Sequence, residues 1–166
     1  MITNERDFID EVARRAGFST SEEARHAARA VLAVLGERLV PDERRAVALA
    51  LPAALAEPLL GAQSSADFEP DELYRRVAER EGTPIGFAVE HTQAVLETLG
   101  AALPLATRVR LERHMGPALA ELFVPRANPP PPPVHVHVPP PEEPGEGTTL
   151  SGGRLGSHNP LSEAKR

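Results

Sequence analysis

The chain has 166 residues, of which 41% are hydrophobic and only 4% aromatic, and its net charge is −6 at pH 7. Its core must be built from Leu, Val and Ala, and because Ala and Leu are strong helix formers we expect an all-α body. The absence of cysteine excludes disulfides, thiolate nucleophiles and Cys-based metal sites. The acidic balance argues against nucleic acid as a partner, since nucleic-acid affinity depends on cationic contacts.

The N-terminal segment MITNERDFIDEVARR has no apolar stretch of the kind found in a secretory signal, and no run of residues approaches the length of a membrane span. The lack of cysteine fits a reducing cytoplasm. The sequence therefore predicts a cytoplasmic protein with no membrane partner.

The first predicted helix spans about residues 5–16, where apolar side chains recur at helical spacing. Gly17 stands where a glycine commonly ends a helix. Thr20 and Glu23 have the spacing of a capping box and predict the start of a second helix over about residues 21–38. That helix is apolar nearly all round, which is typical of a helix buried on several sides.

Prolines divide the next stretch of the chain into short elements. Pro41 fits the first position of a third helix, which we expect to run to about Leu51. Pro52 then breaks the helix, and a short fourth helix is predicted to end near Leu60.

The chain repeats these elements. Three pairs of segments match in the same order: VARRAG (12–17) with VAEREG (77–82), AVLAVLGERL (30–39) with AVLETLGAAL (94–103), and AALAEPLL (53–60) with PALAELFV (117–124). We predict a duplicated four-helix unit, residues 1–62 and 67–125. Neither copy alone would bury its long helix well, so the two copies should form one bundle of about eight helices.

The repeated pattern resembles an uncharacterised bacterial family, domain of unknown function 2267. The likeness is carried by DFIDEVARRAGF, EARHAARAVLAVLGERL, ALALPAALAEPLL, LYRRVAEREG and AVLETLGAAL, and it covers about residues 5–125. The resemblance implies an all-α fold and a bacterial source, and it implies no activity. The second copy departs from the family's pattern at Gly116, where the first copy has Pro52.

Single histidines on predicted helices are the candidates for chemistry. Glu23 and His26 have the Glu-x-x-His spacing of helix-borne di-iron sites, but the second copy has no matching half-site. His91 and His114 lie near glutamates and could act as acid–base groups. Surface Glu, Arg and His at helical spacing more often form a solvated face, so we assign no catalytic, metal or cofactor-binding residue and expect no enzyme.

Arg44 and Arg45 on the third predicted helix leave a helix-turn-helix reading open. Without a basic patch we expect no nucleic-acid partner.

The composition changes after Arg126. Residues 126–147 are predicted to form a Pro-rich linker and residues 148–166 a disordered terminal peptide, because core-forming residues are lacking. Within the linker, the segment VHVHV (134–138) carries His135 and His137. Two imidazoles supply at most half of a zinc site, so this segment is interpreted as part of a spacer. The candidates for docking to a partner are Val134, His135, Val136, His137, Val138, Leu150, Leu155 and Leu161.

The sequence favours a soluble, non-enzymatic interaction or adaptor protein, in which an acidic helical domain presents a tethered C-terminal peptide to a protein partner. Two alternatives stay open. One is a small-ligand or metal-binding helical bundle, suggested by the four helix-borne residues Glu23, His26, His91 and His114. The other is a cargo protein of the encapsulin type, suggested by the similar layout of body, tether and terminal peptide. Homo-oligomerisation is also left open.

Overall fold

The computed structural model describes residues 4–65 and 67–127. Within these residues the chain forms eight α-helices and one 3-10 turn, and it forms no strand, so the predicted all-α fold is confirmed. The helices are α1 (Glu5–Ala16), α2 (Ser21–Arg38), α3 (Pro41–Ala48), α4 (Ala53–Leu60), α5 (Pro70–Glu81), α6 (Ile85–Ala102), α7 (Leu105–Met115) and α8 (Pro117–Ala120), and the 3-10 turn is Glu121–Phe123. The eight candidate docking residues between Val134 and Leu161 lie outside the described residues.

The first two helices begin and end where the sequence predicts. Gly17 follows α1 in the left-handed conformation, with φ of 74°, which glycine adopts without strain. At the start of α2 the Thr20 side chain accepts a hydrogen bond from the main-chain N–H of Glu23, and the Glu23 carboxylate accepts one from the main-chain N–H of Thr20. The predicted capping box is confirmed.

The third helix is shorter than predicted. It ends at Ala48, whereas the sequence suggested about Leu51. The main-chain N–H groups of Ala50 and Leu51 bond to carbonyls three residues back, so the chain tightens into 3-10 geometry before Pro52. A helix cannot continue comfortably into the residue before a proline, which explains the early end.

The second half of the chain has the same order of elements. Gly82 ends α5 with φ of 74°, as Gly17 ends α1, and α6 has 18 residues, as α2 has. The halves differ after that point, because α8 has only four residues and continues as a 3-10 turn. Gly116 precedes α8 with φ of 82°, a conformation that the proline at the corresponding position, Pro52, cannot adopt.

The two long helices form the centre of the described body. The helix α2 contacts α6, and both α1 and α5 pack against α2 and α6 together, so the two halves share one core. In the part of the chain that the structure describes, no helix combines the length and apolarity needed to cross a bilayer.

Candidate functional site

Buried polar side chains are concentrated on α6. Among the described residues four of its polar or charged residues are buried, namely His91, Thr92, Glu97 and Thr98. A polar group costs free energy on burial unless it is hydrogen-bonded. The hydrogen-bond partners of these side chains therefore indicate which of them serve packing and which could belong to a binding site.

Glu97 is fully engaged by arginines. It lies on the central helix α6, where its carboxylate accepts hydrogen bonds from Arg15 on α1 and from Arg126 after the last turn, each at 2.7 Å. Both arginines are partly open to solvent. This cluster joins the first helix to the end of the described body, and its role is structural.

His91 forms a second buried pair with Glu81. Its Nδ1 donates to the Glu81 Oε1 at 2.6 Å, and the two side chains are only 3% and 7% exposed. Glu81 is the last residue of α5, and the left-handed Gly82 turns the chain back so that α6 places His91 beside it. The pair is therefore positioned by the short connection between these two helices.

The loop between α1 and α2 closes over this pair. The ring of Phe18 lies 4.4 Å from the imidazole of His91, measured between ring centroids, and the ring of Phe87 lies 6.1 Å away. His26 on α2 donates from Nε2 to the main-chain oxygen of Glu81 at 3.2 Å. Residues from both halves of the sequence thus meet at one place.

These residues surround an open cleft of about 560 Å³, which we call the His91 cleft. Its lining includes Phe18, Glu22, Glu23, His26, Glu81 and His91. Ligand pockets in proteins are typically about 300–1,000 Å³, so the His91 cleft is large enough for a small molecule.

The Glu81 carboxylate in this cleft has an oxygen that no described residue satisfies. The Glu81 Oε2 is shielded from solvent and has no hydrogen-bond partner among the described residues. A buried carboxylate oxygen without a donor is costly, and in native proteins such an atom calls for an explanation, such as a bound water, an ion or another ligand. The carboxylates of Glu22 and Glu23 at the rim are already used, since one pairs with Arg25 and the other closes the capping box.

The structure brings together three of the four helix-borne residues that the sequence singled out. Glu23, His26 and His91 all line the His91 cleft, whereas His114 lies elsewhere. His114 on α7 instead hydrogen-bonds through Nδ1 to the buried carboxylate of Glu43 on α3. Among the described residues no three His, Asp or Glu side chains come close enough together to hold a metal ion.

Glu81 was not identified from the sequence, although comparison of the matching positions in the two halves points to it. Glu81 and Ala16 are the last residues of α5 and α1, and each precedes a left-handed glycine. His91 is the seventh residue of α6, and Ala27 is the seventh residue of α2. A polar pair therefore stands where the other half has two buried alanines.

A second surface feature lies on the far part of the second half. An apolar groove of about 340 Å³ runs between α7, α8 and the 3-10 turn, and we call it the α7 groove. Leu105, Val109 and Val124 on its walls are 68%, 43% and 57% exposed. Exposed apolar side chains grouped in this way often mark interaction surfaces, and this surface was not predicted from the sequence.

The described residues thus define an all-α bundle of two similar helical halves with a polar cleft where their first loops meet. The chain belongs to the family described as uncharacterized conserved protein (DUF2267), which matches residues 5–122. The resemblance inferred from the sequence over about residues 5–125 is confirmed. No curated protein matches the chain.

Proposed function

We propose that the protein is a non-enzymatic binding protein whose helical bundle holds a small ligand in the His91 cleft. The observation that carries this proposal is the buried pair of Glu81 and His91 in a cleft of about 560 Å³, where no described residue donates a hydrogen bond to the Glu81 Oε2. A few polar groups placed in a partly apolar cavity are the usual composition of a ligand site.

Stability is a poor explanation for this pair. Removing two ionisable groups from water costs several kcal/mol, which is about as much as their mutual attraction returns. A buried pair of this kind therefore adds little to the stability of a fold. The first half of the molecule manages with Ala16 and Ala27 at the corresponding positions, both fully packed. The polar pair therefore supports recognition of something that enters the cleft.

Binding fits the geometry better than catalysis does. A histidine beside a carboxylate is also an acid–base arrangement, and such a group must reach the proton that it transfers. Here the imidazole of His91 is 3% exposed and is covered by the ring of Phe18. A shielded pair suits recognition of a bound group after a small local opening.

A fragment screen monitored by NMR tests the proposal. With the full-length protein, we expect binders to shift the resonances of His26, Gly82 and Thr83, which line the cleft. The variant Phe18→Ala should lose these binders, because it removes the aromatic wall of the cleft, while His114→Ala, which changes a residue outside the cleft, should keep them. A screen whose binders all leave these three residues unshifted would reject the ligand site.

The α7 groove favours a second candidate function, that of an interaction protein. In this proposal a bacterial, cytoplasmic adaptor presents the Pro-rich C-terminal segment as a tethered docking peptide, which gains effective concentration at a multivalent partner. The exposed Leu105 and Val109 would add a second contact surface. Deletion of residues 148–166 and the variant Val109→Asp should each weaken capture of the same partner. An unchanged set of partners in both variants would reject the adaptor.

A further inference from the structure

We propose that the ligand of the His91 cleft is a small organic cation with N–H donors, an amine in its ammonium form. This inference rests on the proposed ligand site and adds the chemical class of the ligand. Three features of the cleft carry it: the charge of its lining, the hydrogen-bonding state of Glu81 and the aromatic ring of Phe18.

The lining of the cleft favours a positive charge. Carboxylates come from Glu22, Glu23 and Glu81, and no arginine or lysine lines the cleft in the described part of the chain. The nearby Arg25 is held by Glu5 and Glu22 at 2.8 and 2.7 Å. An acidic cavity in a protein of net charge −6 concentrates cations and repels anions.

The buried carboxylate needs a donor. Glu81 uses Oε1 to accept from His91, and its Oε2 has no partner among the described residues. A carboxylate can only accept hydrogen bonds when ionised, so the group that completes it must bring an N–H or O–H. A charged donor makes the stronger bond, which favours an ammonium group over an alcohol.

Phe18 supplies the apolar part of the site. Its ring lines the cleft and packs against the imidazole of His91 at an interplanar angle of 42°. Aromatic faces attract cations and also accept the carbon skeleton of an organic ligand. A bare metal ion would use neither property, and it would need several ligand oxygens that this lining does not gather.

Access to Glu81 requires a small opening, and the local structure permits one. His26 is exposed and contacts Glu81 through a single hydrogen bond of 3.2 Å to its main-chain oxygen. Glu81 ends α5 and precedes Gly82, so its side chain belongs to a helix terminus, where structure frays most readily. An entering ammonium can displace His26 and then reach the carboxylate.

Three probes of the same shape and different charge test the class of ligand: benzylammonium, benzyl alcohol and benzoate. Each is titrated into the full-length protein at neutral pH and low salt while the NMR signals of His26, Gly82 and Thr83 are followed. We expect benzylammonium to bind about tenfold more tightly than benzyl alcohol, the effect of one charge-assisted hydrogen bond, and benzoate to bind weakest.

Two glutamates on α5 provide the matched variants. Glu81→Gln should reduce the preference for benzylammonium to less than about threefold, because it removes the charge and keeps the shape. Glu79→Gln should keep the full preference, since Glu79 pairs with Arg75 outside the cleft. If Glu81→Gln does not fold, Glu22→Gln at the exposed rim replaces it and should weaken benzylammonium about twofold at low salt.

The outcomes separate the two proposals. Benzyl alcohol or benzoate binding in the cleft as tightly as benzylammonium would overturn the cation class and leave the ligand site standing. An absence of shifts with benzylammonium would also overturn the cation class. The ligand site itself is rejected only if the fragment screen also gives no shifts at His26, Gly82 and Thr83.

Discussion

The two central helices occupy similar places in the bundle and differ in what they bury. Both α2 and α6 have 18 residues, contact each other and contribute to the same core. The seventh and thirteenth residues of α2 are Ala27 and Ala33, and those of α6 are His91 and Glu97, all four buried. Because alanine fills these positions in one half, packing alone does not demand polar residues in the other.

The two polar residues of α6 have different explanations. Glu97 is satisfied by Arg15 and Arg126, so its burial is offset within the described residues. Glu81, the partner of His91, keeps one oxygen without a donor beneath an open cleft. Burial of a charged group therefore does not by itself indicate a site, whereas an unsatisfied buried oxygen beside a cavity does.

The largest effect is expected from breaking the polar pair. His91→Ala leaves the Glu81 carboxylate buried without a partner and removes the ring that packs on Phe18. We expect a loss of about 3–5 kcal/mol in the free energy of unfolding, measured by urea denaturation. His26→Ala, which removes an exposed histidine, should cost less than about 0.5 kcal/mol. Equal losses of unfolding free energy in the two variants would show that the buried His91 contributes no more to stability than the exposed His26.

A smaller loss of stability is expected when the glycines at matching positions of α2 and α6 are replaced by alanine. A Cβ at Gly100 would overlap the carbonyl oxygen of Phe123, and a Cβ at Gly36 would overlap that of Leu59. Gly100→Ala and Gly36→Ala should each destabilise the protein by about 1–3 kcal/mol in thermal or urea unfolding. Gly86→Ala on α6 is the control, because its Cβ would meet nothing within 4 Å. That variant should stabilise by about 0.5–1 kcal/mol, and a similar gain at Gly100 would contradict the close approach.

The smallest effect on stability is expected from α1 and α5. Each of these helices carries a glutamate with arginines three and four residues later. The hydrogen bond from Arg75, and then that from Arg76, lowers the pKa of Glu72 from 4.5 to about 2. On α1 the pKa of Glu11 is lowered mainly by Arg14. A carboxylate whose pKa is depressed by folding stabilises the protein above its unfolded pKa, and this contribution is lost as the pH falls toward the folded pKa.

The acid range therefore tests Glu72. Between pH 4.5 and about 2 the wild type should lose stability more steeply than Glu72→Gln, which has no carboxylate to titrate. NMR titration of the Glu72 carboxyl carbon should give a midpoint near 2. A midpoint near the ordinary pKa of 4.5 would contradict the ion pairs of Glu72 with Arg75 and Arg76.

Most of the fold was predictable because its signals are local. Gly17, Thr20 and Pro41 mark helix ends through their own backbone preferences, and the structure places helix boundaries at all three. The end of α3 was wrong by three residues, since tightening into 3-10 geometry before Pro52 depends on weak preferences that the sequence pattern does not resolve.

The site was only partly predictable because it depends on contacts between distant residues. Histidines stand out in a sequence, and His26 and His91 were named, but Glu81 is one glutamate among many on a charged helix. Its burial follows from the left-handed turn at Gly82 and from the approach of Phe18, 63 positions away in the chain. Comparison of Glu81 with Ala16, which also ends a helix before a left-handed glycine, would have identified it, since a buried alanine at that place shows that packing alone does not require a polar residue.

The double variant Glu81→Met/His91→Leu tests whether the buried pair serves recognition or the fold. It makes the floor of the cleft apolar, as Ala16 and Ala27 make the corresponding place in the first half. If the pair is kept for recognition, urea denaturation should show a free energy of unfolding equal to the wild type or higher by about 1–4 kcal/mol, and ligands of the cleft should no longer bind. A loss of more than about 2 kcal/mol with ligand binding intact would show instead that the pair serves the fold.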